Sequence, residues 1–127
     1  MATSEVIRVW QEGASGRLDG LLAPEATFSS PVADYRGRGD AAHVLGLIAS
    51  VLEEVECASE WAGAAGLVAS FNARVDGAPV QGMVREQRDE TGALVQVTLF
   101  LRPYGTLSRA IGRMRELLDA DPLPSTR

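Results

Sequence analysis

A chain of 127 residues, of which 46% are hydrophobic and 23% charged, has the size and composition of one folded domain and is too apolar to be intrinsically disordered. Its formal net charge of −5 argues against nucleic-acid binding, which needs a basic surface, and its apolar runs are too short to span a membrane. The chain contains no lysine, which excludes Schiff-base chemistry and a phosphate-binding loop with its lysine.

Cysteine and histidine occur once each, as Cys57 and His43. A single cysteine can form no disulfide within the chain, and a zinc site needs three or four such ligands. We therefore expect no bound metal, and a reducing cytoplasm as the cellular compartment. The first five residues carry no basic region ahead of an apolar stretch, so we also expect no secretory signal.

The first 55 residues have the apolar spacing of helices, interrupted by glycines and prolines. Ser4 is a suitable N-cap for a first helix, and Pro24 stops a second one. Asp40 caps the longest helix, whose apolar residues recur every three or four positions. The predicted elements are a helix at 4–13, a short helix at about 17–22, a strand at 26–30, a loop at 32–39 and a helix at 40–55.

From about residue 60 the apolar residues alternate, as they do in strands. Turn residues that include glycine lie on both sides of residues 80–88. The predicted elements are strands at 60–62, 67–75, 80–88 and 94–102, an amphipathic helix through 107–118 and a frayed tail at 121–127. Helices followed by a meander of antiparallel strands indicate an α+β fold in one domain, residues 1–120.

Short motifs lie at the ends of these elements: LDGLL at 18–22, FSSP at 28–31, YRGR at 35–38, VDG at 75–77, DETG at 89–92 and LRP at 101–103. In this order and spacing they resemble the nuclear transport factor 2-like superfamily, and within it the bacterial SnoaL-like proteins. The resemblance implies a cone-shaped, curved antiparallel sheet wrapped around helices and a pocket, as in a cystatin-like roll. Relatives include polyketide cyclases, ketosteroid isomerase and limonene-epoxide hydrolase, so the fold alone implies no single function.

The catalytic positions that the resemblance implies hold other residue types. In the ketosteroid isomerase pattern the general base falls at Ser30, the tyrosine donor at about Val9 and the protonated aspartate at about Val84. A serine cannot take a proton from carbon near neutral pH without a neighbouring base. Residues 74–76, Arg-Val-Asp, match half of the limonene-epoxide hydrolase pattern, but its second aspartate falls at about Leu99. The aspartate before Gly is also typical of a turn.

Three other side chains are candidate acid–base groups. Histidine is the residue type that most often acts as a general acid or base near neutral pH, and His43 either points into the pocket or lies half-buried at the helix flank beside a backbone group or Asp40. Glu86 shares a strand face with valines, so it is either a carboxylate with a raised pKa in the pocket or a solvated group at the rim. Asp34 is a candidate because it follows the first strand, close to the family's base position.

The predicted substrate-binding residues are apolar or aromatic. Tyr35 and Trp61 combine an apolar body with a polar tip, which suits a pocket mouth, although ordinary packing would also account for them. Cys57 is expected to be a small buried residue. The full predicted set is Tyr35, Trp61, Val84, Leu99, Phe28 and Trp10, of which Phe28 and Trp10 are also expected in the core.

The opposite sheet face combines arginines with Met83 and Phe100, which is typical of a partner surface, although a solvated face could look the same. In the superfamily this face often packs on a second subunit, so the resemblance implies a homodimer. Two functions stay open. One is a pocket for a small apolar or polycyclic molecule, with acid–base isomerase, cyclase or hydrolase chemistry, without cofactor or metal, if it is an enzyme. The alternative is a non-catalytic ligand-binding or dimeric assembly domain.

Overall fold

The computed structural model describes residues 3–126, which form four α-helices, two 3-10 turns and six β-strands. The helices are α1 (Glu5–Glu12), α2 (Leu18–Leu21), α3 (Arg38–Val51) and α4 (Tyr104–Ala120), and the 3-10 turns cover Ser15–Arg17 and Pro124–Thr126. The strands are β1 (Leu22–Ser29), β2 (Asp34–Arg36), β3 (Glu53–Gly63), β4 (Gly66–Val75), β5 (Ala78–Arg88) and β6 (Leu94–Arg102). No helix within residues 3–126 is long and apolar enough to cross a lipid bilayer.

The six strands form one curved, open sheet in the order β2-β1-β6-β5-β4-β3. Neighbouring strands run antiparallel except β1 and β6, which run parallel. A parallel pair needs a long connection, and here the chain between β1 and β6 supplies α3 and four further strands. The curved sheet with helices packed on its inner face confirms the predicted α+β fold.

The inner face of the sheet and the helices share one hydrophobic core. Trp10 of α1 packs edge-to-face on Phe71 of β4, with ring centroids 5.6 Å apart, and its Nε1 donates a hydrogen bond to the carbonyl oxygen of Leu45 at 3.0 Å. Gly82 of β5 lies directly against the same ring. A Cβ at position 82 would come within 2.2 Å of Cζ of Phe71. The phenyl ring therefore occupies the space that a side chain at position 82 would need.

The middle of the chain differs from the sequence prediction. α3 ends at Val51 rather than at 55, and Glu53 and Glu54 begin β3 instead. β3 is an edge strand whose side chains are nearly all exposed, so its sequence lacks the alternation of a half-buried strand. The stretch 32–39, predicted as loop, contains β2, which pairs with the end of β1.

The first strand also begins earlier than predicted, at Leu22 rather than at 26. Pro24, which was expected to stop the second helix, lies inside β1. The register between β1 and β6 shifts between Leu22 and Thr27. A proline is tolerated at such an irregularity because a regular ladder would require the N–H that proline lacks.

The C-terminal residues are docked, which corrects the prediction of a frayed tail at 121–127. Ser125 donates hydrogen bonds from its backbone N, at 3.0 Å, and from Oγ, at 2.6 Å, to the carboxylate of Asp40 in the first turn of α3. Leu123 packs against the core, and Nε2 of His43 lies 2.8 Å from the carbonyl oxygen of Asp121. These contacts hold residues 121–126 on α3, while Arg127 lies outside the described residues.

Candidate ligand-binding site

A cavity of about 300 Å³ lies between α3, α4, β6 and the loop after β1. Each element contributes the apolar residues of one of its faces. α3 presents residues spaced by three and four positions, α4 does the same, and β6 presents alternate residues. The wall consists of Ser30, Pro31, Val32, Tyr35, Val44, Ile48, Val51, Leu52, Leu99, Leu101, Leu107, Ala110, Ile111, Met114, Arg115, Leu118 and Asp119.

Ser30, which occupies the position implied for a general base, is part of this wall but has its hydroxyl engaged in a tight turn. Its Oγ donates to the carbonyl oxygen of Ala33 at 3.1 Å. The same oxygen accepts hydrogen bonds from the backbone N of Val32 at 3.2 Å and of Ala33 at 3.1 Å. The hydroxyl therefore closes the loop between β1 and β2, and it donates its proton to a backbone carbonyl rather than to a side-chain base of the described residues.

The remaining polar side chains of the wall are Tyr35, Arg115 and Asp119. Tyr35 of β2 stacks on Phe28 of β1, with ring centroids 6.1 Å apart and an angle of 18° between the planes. Arg115 and Asp119 are exposed and lie one turn apart near the end of α4. Together with the exposed Val32 they mark the mouth of the cavity. Within the described chain, no group of three or more histidine, cysteine, aspartate and glutamate side chains could hold a metal ion.

Glu86 of β5 is buried but lies outside the cavity. Its carboxylate contacts the first residues of α1. Its side chain is 1% exposed, so the interpretation as a solvated rim group is wrong. Oε2 accepts a hydrogen bond from Oγ of Ser4 at 2.5 Å and one from the backbone N of Val6 at 3.2 Å. Oε1 has no hydrogen-bond partner among residues 3–126, and Nη2 of Arg88 lies 3.6 Å from it. Burial raises the pKa of this carboxyl, against the opposing effect of its hydrogen bonds.

A second carboxylate, that of Glu60 in β3, contacts Ser4, the N-cap residue of α1. The backbone N of Ser4 donates to Oε2 of Glu60 at 2.9 Å. Sγ of Cys57 lies 3.7 Å from Oε1 of Glu60. Cys57 is exposed on the edge strand, so the prediction that it is buried is wrong. Partial desolvation and the neighbouring Glu60 carboxylate raise the pKa of its thiol, which makes the thiolate less available as a nucleophile.

His43 and Asp34 also lie away from the cavity. The side chain of His43 is 14% exposed, and it contacts the docked tail, with the backbone of Asp121 rather than Asp40 as its hydrogen-bond partner. Asp34 is an exposed residue of β2, opposite Ser29 of β1. The structure thus places the three acid–base candidates in three separate regions and brings none of them to the cavity wall.

The predicted binding residues are divided among three environments. Tyr35 and Leu99 line the cavity. Trp61 lies on the outer face of the sheet, 54% exposed, rather than at the pocket mouth. Val84, Phe28 and Trp10 are buried in the core. Arg115 and Asp119 were missed, although the amphipathic pattern of the last helix was recognised, because the pattern does not reveal which part of the sheet α4 covers.

No family model matches the chain, and no curated protein matches it. Solved structures match it over most of its length. An uncharacterised bacterial protein with a cystatin-like fold from Silicibacter pomeroyi aligns with a TM-score of 0.84 and 23% identity, over 92% of this chain and 87% of its own. A steroid delta-isomerase from Pseudomonas aeruginosa aligns with a TM-score of 0.79 and 23% identity, over 94% of this chain and 96% of its own. A nuclear transport factor 2-like protein of unknown function from Cytophaga hutchinsonii aligns with a TM-score of 0.64 and 10% identity, over 84% and 99%.

These likenesses show the fold. The chain has the nuclear transport factor 2-like fold, which is shared with cystatin-like and ketosteroid isomerase-like proteins, as its motifs predicted. The narrower SnoaL-like assignment stays a prediction. Since one fold of this kind carries many chemistries, the function has to be argued from the cavity.

Proposed function

We propose that this protein binds a small, mostly apolar molecule in the cavity between α3, α4 and β6. The composition of the wall carries the proposal. Aliphatic side chains from three elements enclose about 300 Å³, and the few polar side chains lie at the mouth or in the loop beside it. Small-molecule sites typically have this size and this combination of an apolar wall with a few polar groups.

The apolar wall also indicates what kind of molecule fits. Burial of apolar ligand surface contributes about 25 cal/mol for each Å² removed from water. A flexible chain would lose part of this gain when its rotatable bonds are fixed, whereas a rigid ring system would not. We therefore propose a compact ring compound, apolar or polycyclic, as the ligand class.

The function that the site supports best is binding without acid–base catalysis. Val9 and Val84, at two positions where the isomerase pattern has catalytic groups, are buried valines. Leu99 is an apolar residue of the wall, and the Ser30 hydroxyl is engaged in its turn. Asp119 is the one carboxyl group of the wall, and it is exposed to water. Acid–base catalysis would require a site that encloses its acid and base groups with the substrate and excludes water.

Acid–base catalysis on the bound molecule is the second candidate. Its specific support is the similarity in fold to a steroid delta-isomerase. In this chain the reaction would depend on Asp119 as the base, since the wall holds no histidine or glutamate among its described residues. Isomerisation of a β,γ-unsaturated ring ketone, followed by absorbance, tests this candidate. Turnover that Asp119→Asn abolishes would support it, and absence of turnover supports binding alone.

The binding proposal can be tested with naphthalene as an apolar probe and ligand-detected NMR. Leu118 lines the cavity, whereas Glu116 is an exposed residue of α4 outside it. Leu118→Trp fills the cavity and is expected to lower naphthalene binding at least about tenfold, the value of one buried apolar contact of 1.4 kcal/mol. Glu116→Trp adds the same side chain outside the cavity and should leave binding unchanged. Equal binding to both variants would contradict the proposal.

We also propose that two copies associate through the outer sheet face. Trp61, Met83 and Phe100 are exposed on this face by 54%, 39% and 57%. Across the sheet, the register aligns Glu56 with Asn72, Gln81 and Arg102 in one row, which has an acid at one end and a cation at the other. A two-fold axis parallel to the strands would therefore bring Glu56 of one copy opposite Arg102 of the second copy. Sedimentation velocity of the wild-type protein measures this association.

A further inference from the structure

We infer that the molecule bound in the cavity carries a neutral polar group that both donates and accepts a hydrogen bond, such as a carboxamide, and that Arg115 and Asp119 hold this group at the mouth. The inference rests on the proposed function, because it concerns the ligand of the same cavity. It specifies the polar group that the proposed apolar ring compound carries.

The position of the two side chains on α4 is the first step. Arg115 and Asp119 both belong to the cavity wall, and they are four residues apart. Residues at this spacing lie on the same side of a helix, one turn apart. One ligand group at the mouth can therefore reach a cation and a carboxylate together.

The second step is that both side chains are available. The side chains of Arg115 and Asp119 form no hydrogen bond or ion pair with another residue in the 3–126 range. Arg113 on the same helix is different, because it pairs with Asp76 of the turn after β4. The hydroxyl of Ser30, another polar group of the wall, is engaged within its own turn.

The third step is the sign of the charges. An anionic ligand group attracted by Arg115 would be repelled by Asp119 one turn away, and an ammonium group would meet the reverse arrangement. A carboxamide avoids both penalties, because its carbonyl oxygen accepts from the guanidinium and its NH₂ group donates to the carboxylate. Hydrogen bonds to charged groups are stronger than bonds between neutral groups.

Four probes with one ring system separate these possibilities: naphthalene, 2-naphthamide, 2-naphthoate and 2-naphthylmethylamine. Their dissociation constants are measured at pH 7 by ligand-detected NMR or calorimetry. We expect 2-naphthamide to bind about five- to tenfold more tightly than naphthalene, as one or two hydrogen bonds to charged groups at an exposed site would give. The anionic and cationic probes should each bind more weakly than the amide.

Charge-removing variants then give a result that a purely structural role would not produce. Asp119→Asn should shift the preference toward 2-naphthoate, and Arg115→Gln should shift it toward 2-naphthylmethylamine. Glu116→Gln and Arg109→Gln are matched controls, because they remove the same charges from exposed positions of α4 outside the wall. The controls should leave the order of the four probes as it is in the wild type.

The other possible results contradict either this inference alone or the proposed function as well. If naphthalene binds but the four probes bind equally, or if one of the charged probes binds best to the wild type, this inference is overturned and the proposed binding function stands. If naphthalene and its three derivatives all fail to bind, the proposed function fails, and the inference fails with it. If the controls shift the preference as much as Asp119→Asn and Arg115→Gln do, the effect is one of net charge and the inference is wrong.

Discussion

Oγ of Ser4 lies 2.5 Å from Oε2 of Glu86, although 82 residues separate them along the chain. Ser4 is the N-cap of α1, and its Oγ also accepts a hydrogen bond from the backbone N of Ile7 at 3.1 Å. Glu86 lies on the inner face of β5, opposite Val97 of β6. One hydroxyl therefore caps the N-terminus of α1 and also bonds to β5. This contact connects the start of the chain to the sheet.

The first prediction concerns this hydroxyl. Ser4→Ala removes the helix cap and leaves Oε2 of Glu86 with only the backbone N of Val6 as its partner in the hydrogen bonds described above. We expect a loss of about 1–3 kcal/mol in the free energy of unfolding, the usual range for a lost cap or a buried polar group left unpaired. Urea unfolding measures it. A double-mutant cycle with Glu86→Leu, which removes the acceptor oxygens, should show coupling, and strictly additive effects would contradict the contact.

The second prediction concerns pH. The pKa of Glu86 is raised in the folded protein, mainly by burial, above its value in the unfolded chain. The stability contribution of such a group is fully present below the unfolded-state pKa and is lost as the pH rises through the folded-state pKa. Glu86→Gln cannot ionise, so its stability relative to wild type should increase from pH 4 upward.

Urea unfolding of both proteins between pH 4 and pH 8 measures this difference. Glu90→Gln is the matched control, because Glu90 is exposed in the turn between β5 and β6 and the same change there tests the removal of an acid from the surface. A difference between wild type and Glu86→Gln that stays constant across this range would show that the carboxyl titrates alike in the folded and unfolded states.

Glu86 also shows how far the sequence could lead. The alternation along residues 80–88 placed its side chain on the same face as Val84, and the structure buries that face. What the pattern could not show is which groups meet the carboxylate, because Ser4 and Val6 are about 80 residues away in the sequence. Hydrogen-bond partners between distant segments depend on the tertiary fold, and local periodicity carries no information about them.

The two ends of the predicted sheet illustrate the same limit. Residues 94–102 were predicted as a strand with the bounds that β6 has, because they are mostly apolar and β-branched and are followed by Pro103. β3 was mostly missed, because an exposed edge strand needs no alternation and its glutamates have a high helix propensity. The cavity was predicted as an apolar pocket, but Arg115 and Asp119 came from α4, whose place over the sheet is fixed by packing at long range.

The third prediction concerns the close contact of Gly82 with Phe71. A Cβ at position 82 would lie 2.2 Å from Cζ of Phe71, and the ring is buried and cannot move freely. Gly82→Ala should lower the free energy of unfolding by about 1–3 kcal/mol through overpacking. Leucine at position 71 makes room for the new Cβ. The double variant Gly82→Ala/Phe71→Leu should therefore lose less free energy of unfolding than the two single variants lose in sum.

Gly112→Ala is the control for this experiment. Gly112 lies in α4, where a Cβ would meet nothing within 4 Å. The change should be neutral or stabilise the protein by up to about 1 kcal/mol, because alanine favours helix more than glycine does. If Gly82→Ala were as harmless as Gly112→Ala in thermal or urea unfolding, the described packing of the Phe71 ring would be wrong.

The last prediction tests the proposed association through the outer sheet face. Phe100 is paired with Met83 in the register of β5 and β6, and both are exposed at the centre of this face. Phe100→Glu places a buried charge in the interface of the proposed dimer, so we expect it to convert a dimer to a monomer in sedimentation velocity at the same protein concentration. Tyr104→Glu is the control, because Tyr104 is a 79% exposed aromatic residue at the start of α4 and not on that face. A wild-type protein that sediments as a monomer at high concentration, or a Phe100→Glu variant that stays dimeric, would leave Trp61, Met83 and Phe100 as a solvated face.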